Sequence, residues 1–104
     1  MDNFADVAAE RTGRIEKIIR GYDDRFPGLA AVTALPANSK GFVGLAGNVS
    51  EWVDTDYESS PADKTKVMGT VRGGSWRSEN PDQLLSSARQ AWPPNTQRDD
   101  IGFR

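Results

Sequence analysis

Apolar positions recur at three-to-four-residue spacing in one convincing stretch of the chain. Over residues 5 to 20, Val7, Ala8, Ile15, Ile18 and Ile19 share a face while charges fill the other, which is the period of an amphipathic helix. Asp2 or Asn3 is placed to cap its start. Gly13 weakens the middle and Gly21, followed by Tyr22-Asp23-Asp24, is a stop signal. The spacing therefore predicts one or two short helices rather than a long rod. From residue 27 the pattern changes to short apolar runs broken by Pro27, Gly28, Pro36, Gly41, Gly44, Gly47, Pro61, Gly69, Gly73-Gly74, Pro81 and Pro93-Pro94. Such punctuation forbids long helices and favours turns, hairpins and irregular loops. Strands are predicted at Ala31 to Leu35, Thr70 to Gly74 and Gln83 to Arg89. The pattern reads as an α+β domain with little regular structure, undivided by any repeat, low-complexity tract or linker.

Composition narrows the chemistry. The 104 residues include no cysteine and no histidine, so thiolate nucleophiles, disulfides, imidazole bases and sulfur or imidazole metal sites have no side chain to work with. Any metal must sit among oxygens. The length suits a single small domain. A net charge of −2, a pI near 5.0 and the scattering of Lys and Arg among Asp and Glu provide no basic field, so no nucleic-acid partner is expected. No apolar run approaches the roughly 20 residues of a membrane span. The start, Met-Asp-Asn-Phe-Ala-Asp, lacks the basic and apolar regions of a signal peptide, and as written carries no export address.

Several motifs have plain explanations. Gly41, Gly44 and Gly47 recur every third residue but do not make a dinucleotide fingerprint, and a tight turn or close backbone approach is favoured. Asp54, Asp56 and Glu58 open like a calcium-binding helix-loop-helix, yet its glycine position holds Ser59 and its bidentate-glutamate position Thr65; a solvated acidic loop fits better. Asn48-Val49-Ser50 is formally a glycosylation sequon set in what reads as a packed segment. Trp52, Trp76 and Trp92 are favoured as core plugs over an aromatic cradle. In Arg72-Gly73-Gly74-Ser75-Trp76 the glycines would let another backbone approach, and Arg89, Arg98 and Arg104 suit carboxylates, internal ones before those of a ligand.

Three segments together are more specific. Gly44-Leu45-Ala46-Gly47-Asn48-Val49-Ser50-Glu51-Trp52-Val53, then Val71-Arg72-Gly73-Gly74-Ser75-Trp76, then Ser87-Ala88-Arg89 leading to Ile101-Gly102-Phe103-Arg104, resemble the formylglycine-generating enzyme family, also called sulfatase-modifying factors. Upstream, Asn3-Phe4-Ala5-Asp6, Gly21-Tyr22-Asp23-Asp24 and Pro36-Ala37-Asn38 are similar to the lead-in of that family. The likeness covers nearly the whole chain and corresponds to the C-terminal part of a family domain, with residues 1–26 carrying the helix and a first calcium segment and 27–104 the loop-rich, lectin-like part. A complete member has a considerable part ahead of Asn3.

The resemblance implies a variant C-type-lectin fold. Family enzymes oxidise a sulfatase cysteine to formylglycine with oxygen and a copper ion held by two cysteines just after the Arg-Gly-Gly-Ser-Trp segment. The matching positions here are Ser78 and Gln83, poor ligands for Cu(I). No copper and no family oxidase chemistry are expected. The resemblance also implies structural calcium. One site would use the Asn3 side chain, the Phe4 carbonyl, the Asp24 carboxylate and the Phe26 carbonyl. A second would use backbone oxygens of Gly47 and Val49 and the Glu51 carboxylate, weakened because Gly44 stands where an Asn or Asp ligand belongs. The competing account is that Asp24 and Glu51 simply bond loop amides. The expected ligand surface is Arg77, Ser78, Glu79 and Asn80, with Arg89 and Trp92 nearby. The leading expectation is a non-catalytic binding or structural module. The alternatives are a divergent or fragmentary oxidase and the ligand-binding variable protein of a diversity-generating retroelement, whose end is similar. Its partner would be a protein or small ligand at the loops, the remainder of its own domain, or a second copy.

Overall fold

The computed structural model describes residues 2–57 and 67–103. One four-stranded mixed sheet organises them, in the order β3-β2-β1-β4. Its strands are β1 (Ser50–Asp56), β2 (Gly69–Arg72), β3 (Arg89–Trp92) and β4 (Ile101–Gly102). β1 and β2 pair antiparallel, with Glu51 opposite Arg72 and Trp52 opposite Val71; the charge pair supports the register. β2 and β3 are also antiparallel, which puts Arg72 opposite Arg89. That like-charge pair is relieved by separate partners: Arg72 donates to the Ser86 carbonyl and Arg89 stacks on the Tyr57 ring. β4 runs parallel to β1, Ser50 opposite Ile101.

The helix is much shorter than its apolar spacing predicts. α1 is a single turn, Val7–Glu10, and its cap is Asp6, whose carboxylate accepts from the Ala8 and Ala9 amides, not Asp2 or Asn3. Thr12 Oγ1 takes the Ala9 carbonyl and Gly13 turns to a φ of +69°, so the ladder ends there. The chain then returns toward its start, with the Ile19 amide bonded to the Ala5 carbonyl.

The predicted strand at Ala31 to Leu35 is instead a 3-10 turn over Val32–Ala34. Thr70 to Gly74 is a strand shifted to Gly69–Arg72, stopped by Gly73 at φ +78°. The third predicted strand begins too early. Asn80 caps a 3-10 turn over Pro81–Leu84 in a capping box with Gln83, and the strand follows only from Arg89. The apolar pattern gave no indication of β1 as a strand.

The buried apolar set is small: Ala5, Ala8, Ala9, Ala30, Leu35 and Val71. Buried alongside are Asn3, Asp6, Asp24, Ser50, Thr70, Ser75, Ser78 and Asp100. Hydrogen bonds between distant segments thus carry much of what apolar packing does in larger domains. Trp52, Trp76 and Trp92 are half-buried rather than central plugs; the Trp52 ring lies over Gly69, where a Cβ would come within 2.5 Å of it. Asp54 and Asp56 are exposed at the end of β1, whereas Glu58 and Arg104 lie outside the described residues.

Candidate functional site

At the N-terminal end, polar side chains from three segments form two hydrogen-bonded pairs, Asp6 with Asp24 and Asn3 with Asn48. Asp6, which caps α1 with Oδ1, accepts the Asp24 amide with Oδ2. Asp24 in turn accepts the Phe4 amide at 2.9 Å and the Phe26 amide at 2.7 Å. Asn3 donates from Nδ2 to the Gly28 carbonyl and to Asn48 Oδ1. Among the described residues, the buried side-chain oxygen with no hydrogen-bond partner is Asn3 Oδ1.

Burial pushes the Asp24 carboxyl from 3.8 up to about 6; the Phe26 and Phe4 amides pull it back, and the nearby Asp6 charge adds to the rise. Asn3 Oδ1 and the Asp24 carboxyl are both oxygens, the donor type of a hard cation and not of a thiophilic one; among the described residues no group of three or more acidic side chains is placed to hold a metal ion. Phe4 and Phe26 are the residues whose amides Asp24 binds.

Gly44, Gly47, Val49 and Glu51 come together next to this cluster. They line an open depression of about 400 Å³ whose other walls are Val32, Leu35, Gly41, Phe42, Val43, Asn48 and Phe103. The walls are mainly apolar. Glu51 is the single carboxylate among the residues lining it, and the Gly47 carbonyl already accepts the Val49 amide. A hard cation that takes roughly six to eight oxygens is poorly served there.

Ser78 and Gln83, which the resemblance leads one to expect at copper-cysteine positions, are both spent on local structure. Ser78 is buried, and its hydroxyl accepts the Ser75 amide at 2.9 Å while the Ser78 amide returns to the Ser75 carbonyl. Gln83 Oε1 accepts the Asn80 amide. Neighbouring cations are equally committed. Arg77 stacks on Trp76 at 4.1 Å and forms a fork with Asp99 at 2.7 and 3.1 Å, which holds the Asp99 carboxyl below its usual range. Arg98 repeats the arrangement with Trp92 and Asp100.

The residues expected to form one ligand surface are divided. Arg77 and Glu79 border a shallow depression with Arg14, Glu16 and Lys17. Arg89 borders another with Asp82 and Gln83. Asn80 is exposed but turned to capping, Ser78 faces inward, and Trp92 is covered by Arg98.

Asp6 and Asn48 lie outside the set of site residues that the sequence suggests. Asn48 accepts at Oδ1 from the Ala30 amide as well as from Asn3, and donates from Nδ2 to the Ala30 carbonyl. Its Nδ2, the atom that a glycan would occupy, is thus engaged. The sequence signal available for Asp6 is an aspartate directly ahead of a helical turn.

A small mixed sheet, sparse helix and long structured loops define a C-type-lectin-like α+β module, of the type seen in formylglycine-generating enzymes. In structure it is similar to the crystal structure of CarF, with a TM-score of 0.58 and 28% identity over 72% of this chain and 26% of that one. The whole chain, residues 1–104, matches the Sulfatase-modifying factor enzyme 1-like domain, and it belongs to that family. Its relatives include Inactive C-alpha-formylglycine-generating enzyme 2 of Bos taurus, 33% identical over 88 residues, and of Mus musculus, 34% identical over 88 residues. The match covers 79% of this chain but only 28% and 27% of those relatives' lengths. Among the described residues no helix is long and apolar enough to cross a membrane.

Proposed function

We propose that this chain is a non-catalytic module of the formylglycine-generating enzyme type, steadied by one oxygen-bound calcium and used for binding through its loops. The observation that carries the reading is at Ser78 and Gln83. Where thiolates would hold copper stand a hydroxyl and an amide, each closing a turn, and neither is a ligand that Cu(I) prefers. The names of the bovine and murine relatives, which describe them as inactive, support the same direction.

Calcium would be held by Asn3 Oδ1, the Asp24 carboxylate and the carbonyls of Phe4 and Phe26. The orphaned Asn3 oxygen and the raised Asp24 carboxyl support it, because a divalent cation satisfies the first and favours ionisation of the second. Calcium here would be structural: it would pin the N-terminal segment to the loop at Asp24. The group at Gly47, Val49 and Glu51 is the weaker candidate, for Gly44 adds no ligand. The loop surface for a protein or small ligand centres on Arg77 and Glu79, with Arg14 and Lys17 across from them.

Calorimetric titration of the chelator-treated chain tests the metal. One calcium should bind, Asp24→Ala should abolish binding and Glu51→Gln should leave it intact; no binding to the parent chain refutes the site. Incubation with Cu(I), oxygen and a cysteine-containing sulfatase peptide tests the rest, and formylglycine in the product would refute the non-catalytic reading.

A further inference from the structure

Between α1 and Ile19 the backbone has almost nothing to hold it. The Arg14 amide donates to Thr12 Oγ1 at 3.3 Å and the Ile19 amide to the Ala5 carbonyl at 2.8 Å. Among the described residues, no hydrogen bond reaches the amides or carbonyls of residues 15–18 that lie between them. Arg14, Glu16 and Lys17 are exposed, and neither cation is in an ion pair with a described residue. An exposed stretch with free backbone groups is what an endoprotease can draw into its cleft as an added extended strand.

Other basic positions are better protected. The Arg11 amide is bonded to the Val7 carbonyl and its side chain to Asp23. The Arg25 and Phe26 amides are held by the Asp23 and Asp24 carboxylates, the Arg77 and Ser78 amides both return to Ser75, and Arg72 and Arg89 lie in paired strands. The residues ahead of the open stretch are fastened separately. Asn3, Ala5, Asp6 and Ala9 are fully buried, and this segment bonds to Asp24, Asn48 and Ser78, so a break within residues 14–18 severs none of those bonds.

We propose that residues 14–18 are a processing site for an endoprotease that cuts after Lys or Arg, and that both pieces stay in one folded particle. Water is added across the Arg14–Ile15 or the Lys17–Ile18 amide, leaving a carboxylate on the first residue and an ammonium on the second. The cut frees one wall of the depression that Arg14, Glu16 and Lys17 share with Arg77 and Glu79. That consequence for binding rests on the loop-surface reading; the cleavage itself does not.

Brief digestion of the full chain with trypsin tests it, each fragment being identified by mass after denaturation. Among the Lys and Arg positions of the described residues, Arg14 or Lys17 should be cut first, and the two fragments should elute together from a sizing column and separate in urea. The double variant Arg14→Gln, Lys17→Gln should slow cleavage within this stretch by at least about tenfold, because the protease's specificity pocket loses its cation. Both side chains are exposed, so its circular dichroism should match the parent. A first cut elsewhere among the described residues, a double variant cleaved here at the parent rate, or fragments that part without denaturant each overturn the proposal.

Discussion

Asn3 and Asn48 are joined twice: the Asn48 amide donates to the Asn3 carbonyl at 2.7 Å, and Asn3 Nδ2 donates to Asn48 Oδ1 at 3.0 Å. Asn48 also holds Ala30 by a pair of side-chain bonds and accepts the Trp76 amide at its own carbonyl. One residue therefore fastens the N-terminal segment, the loop at Ala30 and the turn after β2.

Asn48 makes these bonds at φ +74°, a conformation that asparagine tolerates and alanine resists. Asn48→Ala should cost about 2–4 kcal/mol, combining unpaired buried groups with backbone strain. Asn48→Gly loses the same side-chain bonds without the strain, and should be less destabilised by about 1 kcal/mol. Urea unfolding midpoints of the three proteins separate the two contributions; equal losses would mean that the backbone conformation costs nothing.

Gly47 has no room for a side chain. A Cβ there would lie 2.6 Å from the Asn3 carbonyl oxygen and 2.7 Å from the Phe4 ring. The first of these is backbone, so Gly47→Ala should destabilise by about 3 kcal/mol. Gly28→Ala is the matched control, since a Cβ placed there would meet nothing within 4 Å, and its unfolding midpoint should stay within about 0.5 kcal/mol of the parent.

The hydroxyl of Ser78 is expected to be worth more than its size. Ser78→Ala leaves the buried Ser75 amide without its side-chain acceptor, a loss of about 1–3 kcal/mol. Ser78→Cys keeps the shape but offers a weak acceptor, and should fall between parent and alanine variant. Thermal unfolding ranks the three; a cysteine variant at least as stable as the parent would remove the structural reason for serine at this position.

Metal-free protein should lose stability as pH rises from about 4 to 7. The folded Asp24 carboxyl, raised from 3.8 to about 6, binds a proton that the unfolded chain has released in that interval. Its contribution is fully present below about pH 4 and lost as pH passes through 6, a change on the order of 2–3 kcal/mol. Asp99 has the opposite sign, being held low by Arg77, and acts only at more acid pH. Urea unfolding in chelator across this range measures the slope, and Asp24→Asn should flatten it.

Much of the turn chemistry was legible in the sequence. Gly41 and Gly44 take positive φ and Gly47 and Gly74 sit against other backbone, as their spacing and neighbours suggested. Short helical structure with a break at Gly13 was legible too, but its reduction to the single turn Val7–Glu10 was not, because periodicity registers which residues are apolar and not that Thr12 bonds back to the Ala9 carbonyl. Strand positions depended on caps: Asn80 and Gln83 together delay β3, a pairing visible only once the turn exists. Asn3 and Asp24 stood out through family resemblance alone. Asp6 did not, since its reach to the Asp24 amide joins segments that no local pattern connects. The loop residues Arg77 to Asn80 are adjacent in the chain, yet their side chains go to an aromatic ring, the interior, solvent and a cap, so contiguity overstated their common purpose.

The parallel pairing of β4 with β1 sets a kinetic condition on this chain. Ser50 meets Ile101 across half the sequence, and Asn3 and Ala5 meet Asn48 and Ser78 across comparable distances. Loops of that size must close before any of these bonds repays the lost entropy, and one helical turn offers little local structure to start from. Formation of this sheet is therefore expected to be slow, and during synthesis it cannot be completed until β4 has left the ribosome.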